Sequence, residues 1–250
     1  GCHDLVDLLH CALKEAPPQK LRLFAAACAR EVLHLTNKEP SIRSVEAAEA
    51  WSYGLIDDAK LKQAELRAWS VWMNGGTEVE RAARACAVED VHEAVFTTSL
   101  AARAVMIFTT CQDRRREWEK SFYPSWLEKG RSASPADQQE MLVWKEQWEK
   151  ELTRDVISLT EVRLKKILLD VLGNPFRPVR LPKTWLGLHE STVVKMAQVI
   201  YQNQSFEDMP ILGDALEDAD CPVESILNHC REHPVHSRGC HVLHAILNQS

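Results

Sequence analysis

KLRLFAAACAREVLHLT, residues 20–36, places Leu21, Phe24, Cys28, Val32 and Leu35 at intervals of three and four. That spacing lines one face of an amphipathic helix with apolar side chains. Pro17-Pro18 marks its start, and the stretch from Asn37 to Pro40 ends it. Working outward, Ser41 reads as the cap of a second helix running through Trp51 to Leu55, and a third runs from about 57 to 72. Asn74-Gly75-Gly76 breaks the chain before helices at 77–87 and from 89 to about 110. No segment shows convincing strand alternation, and only nine glycines argue against a β-rich or dinucleotide-binding architecture. The expected fold class is all-α: a multi-helix bundle with a smaller C-terminal helical subdomain.

Residues 112–155 change character. Charges alternate with Trp118, Trp126, Trp144 and Trp148, and Gly130 to Pro135 reads as a loop in which Ser134 caps a long helix. Trp144 and Trp148, four apart, share a helical face suited to packing on the bundle. From Leu159 a strong helix, LTEVRLKKILLDVLG, stops at Gly173, with Asn174-Pro175 after it. Prolines at 175, 178 and 182 then impose an extended strap. Helices resume at about 190–204, 207–219, 222–231 and 238–248. Three consecutive parts are expected: an N-terminal bundle (1–111), a Trp-rich charged helical insertion (112–158) and a C-terminal helical subdomain (159–250).

With 250 residues, 45% hydrophobic and 26% charged, the composition is that of a globular protein with a core of real size. The formal net charge of −6 is uneven. Residues 189–250 carry nine acids against Lys195, Arg231 and Arg238, whereas 156–188 carry six bases against Glu161 and Asp170. An acidic C-terminal third disfavours nucleic acid as a partner. No 18-residue apolar run stands out, and the N-terminus lacks the layout of a signal peptide, so the expected location is cytoplasmic. Eight cysteines then read as thiols or metal ligands before disulfides, with Cys11, Cys28 and Cys86 as plain buried thiols.

KLRLFAAACAR, GNPFRPVRL and MPILGDALEDADC…NHC…H-x-RGC together resemble an uncharacterised bacterial family expanded in planctomycete-like genomes. The resemblance covers about residues 20–55 and 160–248 and leaves the Trp-rich middle as the variable part. It implies matches at Cys221, His229, Cys230, His236, Arg238, Gly239 and Cys240, with other side chains usual at His241 and His244. It carries no established activity, and it does not imply glutamate at positions 31 or 89.

The residues themselves point to chemistry most strongly between Cys221 and His244, where three cysteines and five histidines fall within 24 residues. The tightest metal-ligand reading is Cys221, Cys230, His236 and Cys240, with His229 in reserve, a Cys₃His set suited to structural zinc. His236 and Cys240, four apart, would share a helical face, and the ion would clip two helices too short to be stable alone. The spacing matches no standard zinc finger. A plain helical hairpin, or a redox or nucleophilic role for Cys230 or Cys240, accounts for the same residues. An alternative metal set is Glu31-x-x-His34 with Glu89-x-x-His92, the arrangement of a di-iron carboxylate bundle, in which Glu46 or Glu49 and Glu65 or Glu117 would complete the ligands. Arg177 and Arg180 on the proline strap are candidate anion or partner contacts, or ties to Asp214, Glu217 and Asp218. Nucleophile elbow, P-loop, H-E-x-x-H and G-x-G-x-x-G motifs are absent. The functional expectation is a helical binding or scaffold module, with a structural zinc site, that meets another protein. A helical metalloenzyme is the alternative.

Overall fold

The structure, a computed structural model, describes residues 5–121, 128, 130, 133–173, 181 and 192–247. Among these residues there are eleven α-helices and no strand. The helices are α1 (Leu5–Glu15), α2 (Pro18–Leu33), α3 (Glu39–Ser52), α4 (Asp58–Met73), α5 (Glu78–Ala85), α6 (Val91–Ser121), α7 (Pro135–Leu172), α8 (Val193–Asn203), α9 (Met209–Asp218), α10 (Glu224–Glu232) and α11 (His241–Leu247). The chain forms two compact units. One comprises Gly1–Ala102 with Arg163–Ser250, and the other Arg103–Val162.

In the first unit α2 packs on α3 and α5, α3 on α4 and α5, and α4 on α5. The face read from residues 20–36 is buried as expected, with Leu21, Phe24, Cys28 and Val32 almost fully enclosed; Leu35 lies beyond the helix and is exposed. Arg22 is buried among them. Its guanidinium donates to the carbonyls of Cys86, Val88 and Glu89 at 2.8, 2.7 and 3.0 Å and lies 4.6 Å from the centre of the Trp51 ring. A cation thus satisfies carbonyls left over where α5 ends. The thiols of Cys28 and Cys86 are buried in the same core and Cys11 is half-buried.

Several boundaries differ from the sequence expectation. Helix α3 starts at Glu39, with Pro40 inside its first turn, where a missing N–H costs nothing. Ser41 is therefore a buried helical residue and not the cap. The segment expected as a new helix from Leu159 is the end of one 38-residue helix, α7. No glycine or proline interrupts it between 136 and 172. At its start Ser134 and Asp137 exchange capping bonds, Ser134 Oγ donating at 2.7 Å. Helix α6 does contain an apolar window, of mean hydropathy 1.4, long enough to cross a membrane, where none was expected. One face of it, with Ala94, Val95, Thr98, Ser99, Ala101 and Ala102, is buried, and a third (33%) of the window in all.

The second unit is an antiparallel hairpin of the later part of α6 and the earlier part of α7. Arg103 meets Glu161 at 2.6 Å, Arg115 meets Glu149 at 2.9 Å, and Trp118 packs against Trp144 and Trp148, so the partners run in opposite order. Of the Trp144/Trp148 stripe, Trp148 lies nearer to Trp118, at 5.1 Å between centroids, while Trp144 stays exposed.

Helices α8 to α11 build their own core around Ile200, Met209, Leu212, Leu216, Ile226 and Leu243. α8 packs on α9 and α11, and α10 on α9 and α11. Arg231 ties Asp214 and Glu217, the acids for which Arg177 and Arg180 were expected; those two arginines lie outside the described residues.

Candidate metal centre

Asp170 sits in the last turn of α7, on the face that buries Leu164, Ile167 and Val171, and is wholly enclosed. A carboxylate there faces two penalties, desolvation and the negative end of the helix dipole. The chain answers with donors. His229 Nε2 lies 3.1 Å and His236 Nδ1 3.2 Å from Asp170 Oδ1, while the Ser237 N–H and hydroxyl donate to Oδ2 at 2.9 and 2.8 Å. Burial alone would push the Asp170 pKa up; the hydrogen bonds from His229, His236 and Ser237 outweigh it and hold the carboxyl well below the usual range.

Cys240 completes the group. Its sulfur is 3.3 Å from His229 Nε2 and 3.9 Å from His236 Nδ1, and it is fully buried at the position preceding α11. Burial first, and the nearby Asp170 second, raise the thiol pKa well above its ordinary value, while N–H groups of the first turn of α11 act the other way. One atom from each of Asp170, His229, His236 and Cys240 falls within 4.8 Å of the others. This is the only such group of three or more ligand-type side chains among the described residues.

Local structure explains each placement. His229 is near the end of α10 and reaches Asp170, and its neighbour on the helix, about 100° round, is thereby turned away. That neighbour, Cys230, is enclosed in the core formed by α8 to α11, beside Gly213. Burial pushes its thiol up to about 12. Cys221, in the turn before α10, packs at the edge of the same core. Of the Cys₃His set, His236 and Cys240 therefore meet, together with the reserve ligand His229. Cys221 and Cys230 are not part of that group, and Asp170 takes the fourth place. His236 is not on a helix but in the loop ahead of α11. The loop is pinned from three directions: Lys20 Nζ donates to the Gly239 carbonyl at 3.3 Å, Arg238 pairs with Glu49 at 3.1 Å, and the Tyr53 hydroxyl donates to the Arg238 carbonyl.

Two glycines permit the close approach. Gly173 ends α7 at φ +67°, and a Cβ there would sit 2.9 Å from the His241 ring. That ring donates through Nδ1 to the Asp170 carbonyl at 2.9 Å. Gly239 has no room for a side chain either, since a Cβ would meet Val171 at 2.8 Å. The His229 ring is flanked by His233 at 4.6 Å and His241 at 4.3 Å between centroids. A cleft of about 290 Å³ opens beside the group, bordered by His236, Ser237 and Arg238 on one side and Arg30, Glu31 and Glu49 on the other.

The alternative carboxylate site does not assemble. Glu31 is paired with Arg163 at 2.9 Å, and His34 is exposed. Glu89 precedes α6 rather than lying on it and is exposed, as is His92. Glu49 is held between Arg30 and Arg238, and Glu65 between Lys62 and Arg84. These acids are spent on guanidinium and ammonium partners, so they do not converge on an ion.

What the central arrangement can do follows from which atoms meet. A nucleophilic triad sets the carboxylate on one imidazole nitrogen and the nucleophile on the other. Here Asp170 and Cys240 converge on the same nitrogen of each histidine, Nε2 of His229 and Nδ1 of His236. That is not the layout of a triad, and an oxygen, two nitrogens and a sulfur gathered around one point form the donor set of a metal site. Metal–ligand bonds of about 2.0–2.3 Å in a tetrahedron set ligand–ligand edges of roughly 3.3–3.8 Å. The distances from Oδ1 and from Sγ to the two histidine nitrogens run from 3.1 to 3.9 Å around that range, within a group that spans up to 4.8 Å. No protein-family model, curated protein or solved structure matches the chain.

Proposed function

We propose that the protein is a helical binding or scaffold module whose C-terminal helices are held by a structural zinc ion bound to Asp170, His229, His236 and Cys240. The observation that carries this reading is the convergence of an oxygen, two nitrogens and a sulfur on one buried point. Four protein ligands leave no open position for a substrate, which favours a structural over a catalytic ion. Deprotonated Asp170 and Cys240 together would neutralise a divalent cation, offsetting the cost of burying two negative charges side by side. The binding role is supported by the hairpin, which leaves Phe108, Leu142, Val143 and Trp144 exposed, the kind of side chains from which protein contacts are made. A cytoplasmic location fits a thiolate-ligated ion.

Elemental analysis of protein purified without added metal tests the site. About one zinc per chain is expected, falling to background in Asp170→Ala and Cys240→Ser but not in Cys230→Ser. Metal-free wild-type protein that also takes up no zinc on dialysis would overturn the proposal.

A further inference from the structure

Resting on that metal-site reading, we infer that Ser237 fixes the coordination number of the ion, and so selects tetrahedral transition metals over those that prefer five or six ligands. A carboxylate can bind an ion through one oxygen or two. In Asp170 the choice is already made: Oδ2 accepts both the Ser237 N–H at 2.9 Å and its hydroxyl at 2.8 Å, which occupies the lone pairs a second metal bond would need. Only Oδ1 faces His229 and His236. The side chain is fully enclosed and its Oδ2 is held by the two Ser237 bonds, which keeps Oδ1 toward the histidines. The sulfur of Cys240 is equally enclosed, the two histidine side chains are below a tenth exposed, and among the described residues the protein offers no further ligand side chain to the group.

The donor count is therefore four: one oxygen, two nitrogens and one sulfur. Zn²⁺ and Co²⁺ accept such a tetrahedron readily; Mn²⁺ and Mg²⁺ favour octahedral oxygen-rich sites, and Ni²⁺ gains from square-planar or six-fold geometry. Ser237 touches no ion in this arrangement. It acts through Asp170 as a positioning residue, and such partners commonly shift metal affinity about 10- to 100-fold.

Cobalt substitution provides the readout. Metal-free protein titrated with Co²⁺ is expected to show the intense visible bands of tetrahedral cobalt and a thiolate-to-cobalt charge-transfer band. Ser237→Ala frees one lone pair of Oδ2 at the loss of a single atom. Its cobalt bands should weaken toward those of a five-coordinate ion, and its preference for Zn²⁺ over Ni²⁺ in competition should drop about tenfold or more. Ser237→Thr, which keeps the hydroxyl, should restore both. X-ray absorption of the zinc-loaded wild type should give four ligands with a single oxygen, a measurement that needs no variant. Tetrahedral cobalt in wild type with unchanged spectrum and selectivity in Ser237→Ala would overturn this inference and leave the zinc site standing, as would a five-coordinate wild-type ion. Wild-type protein that binds neither Co²⁺ nor Zn²⁺ would overturn the site itself.

Discussion

Asp170 lies 59 residues before His229, far outside the local crowding of histidines and cysteines that marks the rest of the site. Yet it carried a signal: an acid in the last turn of a helix, inside its apolar stripe, against the dipole. Cys240, His236 and His229 were legible from local crowding alone. Which way Cys230 points was not, since that depends on how α10 rolls onto α9. The same residue-scale logic applies to Glu65, which is buried between Lys62 and Arg84. Burial by itself raises its pKa, but the hydrogen bonds from Lys62 and Arg84 win and lower it below its usual 4.5. A depressed carboxyl stabilises the fold above the unfolded pKa and loses that contribution as pH falls through the folded one. Glu65→Gln should therefore cost about 2 kcal/mol at neutral pH, with the gap to wild type closing below about pH 4.5, as read from urea denaturation across pH.

At the scale of elements, the existence of most helices was readable because period, proline and glycine agreed with one another. Helix α1 follows the same logic, with Leu5, Leu9 and Ala12 as its buried face. The continuity of α7 was masked by a change from Trp-rich charged text to apolar text, which looked like a boundary although no breaker stands there. Packing between elements was beyond reach, and Gly239 shows why. Its need for a bare Cα arises from Val171 on α7 and Leu23 on α2, both remote in sequence. Gly239→Ala must push the loop off α7. It should lower stability by about 1–3 kcal/mol and reduce metal retained after gel filtration, while Ser237→Thr, which adds its methyl at a half-exposed position, should retain it.

For the whole molecule, the C-terminal residues return to the N-terminal helices within one compact unit. Arg163 reaches Glu31, Arg238 reaches Glu49, and Lys20 reaches Gly239. Metal removal should consequently be felt beyond the short helices. Chelation is expected to lower the thermal midpoint by several degrees, on the scale of about 4–8 °C per kcal/mol for small domains and less for larger ones. In hydrogen exchange, α10 and α11 should lose protection first and the amides of the 103–162 hairpin should keep theirs. Uniform loss across both units would contradict a local clip.

The enclosure of Asp170 beside Cys240 has one more consequence. An ion bridging them would tie together positions about 70 residues apart, and a cross-link around a loop of that length withholds from the unfolded chain conformational freedom worth about 4 kcal/mol. The bond would thus do the work of a disulfide while remaining reversible, so the lifetime of the folded C-terminal region would follow the exchange rate of a metal rather than the redox state of a thiol pair.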